Sequence, residues 1–166
     1  MVGFARLTSD PVAMEFFPNL LTREESDAYG HANIAHFEAH GFGRYVVELR
    51  SRAGFIGFSG LKRAVFDAPF TPAYELGYRF LPEFWGHGYA TEAGRVAIGD
   101  GFERLEVDGA PIERVVAFTA RTNERSQRVL ERLQFVRVPE NDFEHPLVEP
   151  GHALRPHLYY ERSAGR

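Results

Sequence analysis

The stretch EFWGHGYATEA, residues 83–93, sets two glycines in a turn that runs directly into a helix pattern. Glycine lets the backbone take φ > 0 or approach a ligand closely, and a helix start presents unpaired N–H groups. Together these properties describe a cradle for an anion. The run YELGYRF (74–80) before the turn reads as a strand, ended by Leu81-Pro82. A helix of about 89–106 follows, with Ala90, Ala97, Ile98 and Leu105 on one half of the wheel and Glu92, Arg95 and Glu103 opposite. A strand–turn–helix at the centre of the chain makes the fold α/β or α+β, with a partly parallel sheet.

Outward from this centre, residues 3–9 read as a short helix stopped by Asp10-Pro11. A helix of about 23–40 comes next, with Thr22 and Glu25 as a capping box and Gly41 as its C-terminal cap. RYVVELR (44–50) and FIGFSGLK (55–62) are β-rich runs joined by SRAG, a hairpin signal, and the aperiodic segment 64–73 is a loop. RVVAFTA (114–120) is continuously apolar inside, as a buried strand is. Asn123 caps a helix to about Leu133, and FVRV and HLYYER are the last strands. No repeat or linker divides the chain, so residues 1–166 form a single domain.

At 166 residues such a domain buries roughly 70% of its unfolded surface. The 44% hydrophobic and 14% aromatic content excludes a disordered chain. A net charge of −4 argues against a general nucleic-acid binder. The absence of cysteine excludes disulfides and thiol catalysis and fits a cytoplasmic protein. No apolar run reaches the roughly 18 residues of a membrane helix, so neither nucleic acid nor membrane is an expected partner.

Three glycine-loop chemistries compete for the turn. A P-loop needs a lysine after its last glycine, and none follows Gly86 or Gly88. A dinucleotide fingerprint needs G-x-G-x-x-G, and Thr91 stands where the third glycine belongs. The expected downstream acidic residue is missing as well. The glycines also suit a bare tight β-to-α connection.

The third chemistry comes from a resemblance. FWGHGYATEAGRVAIGDGF, followed by NERSQRVLERLQF, resembles the Gcn5-related N-acetyltransferase (GNAT) superfamily, in its RimJ/RimL-like branch, over residues 8–162. The superfamily's Q/R-x-x-G-x-G/A motif falls on Trp85-Gly86-His87-Gly88-Tyr89-Ala90, with Trp85 replacing the usual Gln or Arg. The resemblance implies a GNAT fold of the α+β class. Its mixed central sheet has about six strands, with two splayed parallel strands at the centre and helices on the flanks. It implies acetyl-CoA as cofactor. The pyrophosphate would lie on the N–H groups of residues 86–91, and the pantetheine arm in the splay. The implied cofactor-binding residues are Phe80, Leu81, Trp85, Gly86, His87, Gly88, Tyr89, Ala90, Thr91, Asn123 and Ser126. Asn123 is equally a plain helix cap.

For catalysis, the resemblance implies a group that protonates the departing thiolate. The tyrosine that many relatives carry seven residues after the Asn is Leu130 here. Ser126, three residues after it, is the implied substitute, and it equally suits a first-turn helix residue bonded to backbone. Glu75 stands where relatives place a carboxylate as general base. Strand alternation also puts Glu75 on one face with Gly77 and Arg79, so an ion pair with Arg79 is the structural alternative. Asp142, Glu144, His145 and His157 are secondary candidates for the base. His31, His36 and His40 lie on one helix without a nearby acidic ligand, and no metal is expected.

The expected activity is acetyl transfer from acetyl-CoA to a primary amine, either a protein N-terminus or a small molecule, by direct attack in a ternary complex. A catalytically silent acyl-CoA-binding module is the alternative, and a nucleotide-dependent oxidoreductase a third. The resemblance implies a first strand ahead of the first helix, and none is read in residues 1–9, so either the natural protein starts further upstream or the usual first strand is missing. The strand at 44–50 or 55–62 is therefore expected to expose an edge that recruits a second copy or is capped by another segment.

Overall fold

The computed structural model describes residues 1–107 and 109–165, with backbone alone at position 52. Helix α1 (Val2–Ser9) ends at Asp10, whose carboxylate accepts the N–H groups of Val12 and Ala13. Helix α2 (Arg23–His40) opens on the expected capping box and closes on Gly41 in the left-handed region. Strands β1 (Arg44–Leu49) and β2 (Arg52–Ala64) form an antiparallel hairpin. Strand β2 begins at Arg52 rather than 55 because Leu49 pairs with Arg52 across a tight turn.

After β3 (Ala73–Phe80) comes the glycine turn and α3 (Tyr89–Arg104). Helix α3 stops short of 106 because Leu105 turns extended, entering a small hairpin of β4 (Glu106–Val107) and β5 (Ala110–Pro111). Then follow β6 (Arg114–Ala120), α4 (Glu124–Arg132), β7 (Val136–Arg137), β8 (Phe143–Glu144) and β9 (Pro156–Ser163).

The main sheet has seven strands in the order β1-β2-β3-β6-β9-β7, with β8 also beside β9. The two-residue strand β8 brings the count one above the expected six or so. Every neighbouring pair is antiparallel except β3 and β6, which are parallel and share one register pair, Glu75 with Val116. Beyond it the two strands diverge, which is the expected splay.

Alternation on β6 divides the core. Val115 and Ala117 face α3 and α4 with Leu76, Ile98 and Leu130. Val116 and Phe118 face an aromatic cluster of Phe66, Phe70, Phe143 and Tyr159. On that second face Leu7 of α1 covers Phe58 and Leu81. Strand β1 is the sheet's outer strand, one of the two predicted edges, and Val46 on it is 60% exposed.

Candidate active site

The turn after β3 is built for open backbone. Gly86 and Gly88 have φ of 79° and 85°, and a Cβ placed on either meets nothing within 4 Å. Gly88 is the N-cap of α3, and no side chain caps that helix. The first-turn N–H groups are left for a ligand, beside the positive end of the helix. Arg95 and Arg132 flank the turn with His87. The Trp85 indole N–H donates to the Phe80 carbonyl at 2.8 Å, which pins the ring. The Arg125 guanidinium lies 4.7 Å from that ring's centre and pairs with Glu15, tying α4 to the segment after α1. Leu81 is buried against the α1 cluster, so only its backbone is left to meet a cofactor.

On the far wall, the Asn123 side chain accepts the Ser126 N–H at 3.1 Å and caps α4. The Ser126 hydroxyl lies 2.8 Å from that of Tyr78, whose single proton has two acceptors in reach, the Ser126 hydroxyl oxygen and, at 3.2 Å, the Ser126 carbonyl. Burial pushes the Tyr78 phenol well above its ordinary pKa. It therefore stays protonated. Leu130 is packed in the core.

Glu75 lies on the opposite face of β3 from Tyr78. Its partner is Arg44 at 3.1 Å, not Arg79, and the pair is largely buried at 17% and 13% side-chain exposure. Register explains the reach. Arg44 stands opposite Gly60 on β2, and Gly60 opposite Gly77 on β3. A Cβ on Gly77 would come within 2.4 Å of the Arg44 guanidinium. Two side-chain-free positions thus let Arg44 lie across the sheet. Its other end donates to the Tyr29 hydroxyl at 2.7 Å. Burial raises the Glu75 carboxyl above the ordinary range, against the pull of Arg44 and Lys62. That is the direction a general base for an amine needs.

On the same face, the His145 and His157 rings meet at a tilt, 4.8 Å between centres, beside Phe118 and Phe143. Burial pulls His145 down to about 4, with help from His157 and Arg155. Glu144 pairs with Arg155, and the Asp142 carboxylate accepts the Tyr159 N–H and pairs with Arg137, so both are engaged. No three His, Cys, Asp or Glu side chains gather as a metal site among the described residues.

The turn, Asn123, Ser126, Tyr78, Glu75 and the two histidines line one cavity of about 1160 Å³. That exceeds the roughly 300–1,000 Å³ of a single small-molecule site, leaving room for two substrates. The family model described as an acetyltransferase (GNAT) domain matches residues 2–136. The chain belongs to this family.

The GNAT domain is 25% identical over 130 residues to the uncharacterized protein YkkB of Bacillus subtilis (strain 168), covering 78% of this chain and 72% of that one. Among solved structures it superposes on a GNAT-family acetyltransferase from Bacillus anthracis with TM-score 0.75, at 21% identity, over 98% of this chain and 87% of that one. The ribosomal-protein-S5-alanine acetyltransferase of Vibrio fischeri follows at TM-score 0.72 and 20% identity, over 98% and 86%. These likenesses show the GNAT fold over nearly the whole chain.

GNAT domains acetylate amines, with acetyl-CoA as cofactor. The residues here fit that group: an uncapped helix start with open space above two positive-φ glycines, flanking arginines, and a slot between β3 and β6 bridged once. Tyr29, Arg44 and Tyr78 were not singled out by sequence. The small residues Gly60 and Gly77 were the one local signal for Arg44.

Proposed function

We propose that this GNAT domain is an N-acetyltransferase that acts on a primary amine by direct attack, with both substrates bound at once. The observation that supports this best is the single β3–β6 bridge at Glu75. It puts a basic carboxylate on one side of the opening and the Ser126–Tyr78 hydroxyl pair on the other.

Acetyl-CoA, when bound, would supply the thioester; the N–H groups of residues 86–91 would hold its pyrophosphate, and the free edge of β3 and Asn123 its pantetheine arm. Glu75 takes the proton of the arriving ammonium, directly or through a water, so that the neutral amine forms. The Tyr78 O–H donates to the Ser126 oxygen, and the Ser126 proton is then free to stabilise a departing sulfur. Positioning of the two substrates supplies much of the remaining rate. The acceptor is a protein N-terminus or a small-molecule amine, and the setting a cytoplasmic one.

Following free thiol with acetyl-CoA and a panel of amines tests the reading. Thiol release that depends on an amine supports it. Cofactor binding without thiol release would leave an acyl-CoA-binding module, which the burial of Leu130 in place of the usual tyrosine favours.

A further inference from the structure

The acceptor side of the cavity is rich in positive charge. Lys62 stands directly opposite Glu75 on β2, Arg44 lies over Gly77, and Arg79 follows on the same face of β3. Glu75 is matched to Arg44. Arg79 has no carboxylate partner among the described residues. One of its terminal nitrogens instead points at the Met14 sulfur at 2.9 Å, a weak acceptor. Its guanidinium carbon lies 3.5 Å from the centre of the Phe17 ring, and its Nε is buried without an acceptor. The Nε of Arg44 is buried and unpartnered too, and both guanidinium groups lie within 5.9 Å of the centre of the Phe58 ring. A buried charge without a counter-ion is costly. Arg79 faces a cavity that a ligand can enter, which offers a remedy.

We propose that Arg79 receives an anionic group of the acceptor, a carboxylate or phosphate, with Arg44 and Lys62 adding to the positive field around it. The inference rests on the amine-acetylating reading and narrows it to amines that carry an anion. Glu75 and Arg79 are four residues apart on β3, about 13 Å of strand. Amine and anion are therefore separated by about the length of a short peptide, not adjacent as in an α-amino acid. The same cations repel the second ammonium of a polyamine.

Calorimetry tests this without turnover. Tetra-alanine, whose extended chain spans about 13 Å, and tetra-alanine amide are each titrated into the full chain saturated with coenzyme A. The acid is expected to bind about tenfold tighter than the amide or more, as one charge-assisted contact gives. In Arg79→Met that ratio falls towards one, and Arg79→Lys recovers part of it. The coenzyme A Kd stays the same in all three proteins. Should Arg79→Met not fold by circular dichroism, Lys62→Met is expected to lower the ratio instead.

Equal binding of acid and amide, tighter binding of spermidine, or absence of tetrapeptide binding would each overturn the proposal. So would weaker coenzyme A binding in Arg79→Met with the acid-to-amide ratio intact, because Arg79 would then serve the cofactor. Thiol release with the same amines reports separately on the enzyme reading. Carboxylate-dependent binding without thiol release keeps the anion site and removes the acetyltransferase. Thiol release that ignores the carboxylate does the reverse.

Discussion

The hydroxyl oxygens of Tyr78 and Ser126, which belong to strands and helices 48 residues apart in sequence, lie 2.8 Å from each other. Ser126→Ala is expected to lower kcat about tenfold, as one lost neutral hydrogen bond does, with little change in the KM for acetyl-CoA. Tyr78→Phe keeps the buried ring and is expected to lower kcat by a smaller factor. In the double variant the losses fall short of their product, because the two hydroxyls act as a unit. Unchanged turnover in Ser126→Ala would leave that residue to the α4 first turn alone.

Gly88→Val is expected to abolish acetyl-CoA binding in a folded protein. The branched side chain fills the open space over the turn and is strained at φ 85°. Calorimetry checks binding, and a thermal melt checks the fold. Wild-type affinity would remove the cradle.

Glu75→Gln is expected to lower kcat/KM by about 10²–10⁴-fold, the usual worth of a positioned base. In the wild type, the acid limb of kcat/KM lies above the ordinary carboxylate range, because burial raises Glu75. Lys62→Met removes a cation that favours the carboxylate and moves the limb further up. A raised folded pKa also fixes the linkage sign: the stability contribution is full below the unfolded pKa and is lost as pH rises through the folded one. The stability of the wild type relative to Glu75→Gln should therefore fall across that window. A pH profile with its limb at an ordinary carboxylate value would assign the base elsewhere.

His145 behaves oppositely. Its pKa falls from 6.5 to about 4 on folding, chiefly through burial. Its contribution to stability is full above the unfolded value and is lost as pH drops through the folded one. The Tm should decline between about pH 6.5 and 4, and less steeply in His145→Asn. Equal slopes in the two proteins would show that His145 titrates freely.

The exposed β1 edge is expected to pair with a second copy of the chain. Light scattering should then show a dimer, and Val46→Lys should shift it towards monomer by setting a charge on that edge. A wild-type monomer would remove this expectation.

The parts of the fold that rest on neighbouring residues were legible in the sequence. Thr22 and Glu25 cap α2 as a reciprocal box, and the alternation of β3 correctly separates Glu75, Gly77 and Arg79 from Leu76 and Tyr78. Contacts set by register across strands were not. The i,i+4 neighbour Arg79 was the natural partner for Glu75, yet Arg44 takes that place from two strands away through the Gly60–Gly77 alignment. Tyr78 meets Ser126 only because α4 packs over β3 beyond the splay, a geometry that no local pattern carries.

The chain contains one tryptophan, and it stands at the turn, with its indole N–H held by the Phe80 carbonyl and a guanidinium against its ring. Tryptophan emission, excited beyond the absorption of the seven tyrosines, therefore reports from a single, known place. A ligand that displaces Arg125 or changes the polarity above the glycines alters the emission directly. Cofactor arrival can thus be timed by stopped flow on the unmodified protein, without a label or a coupled assay.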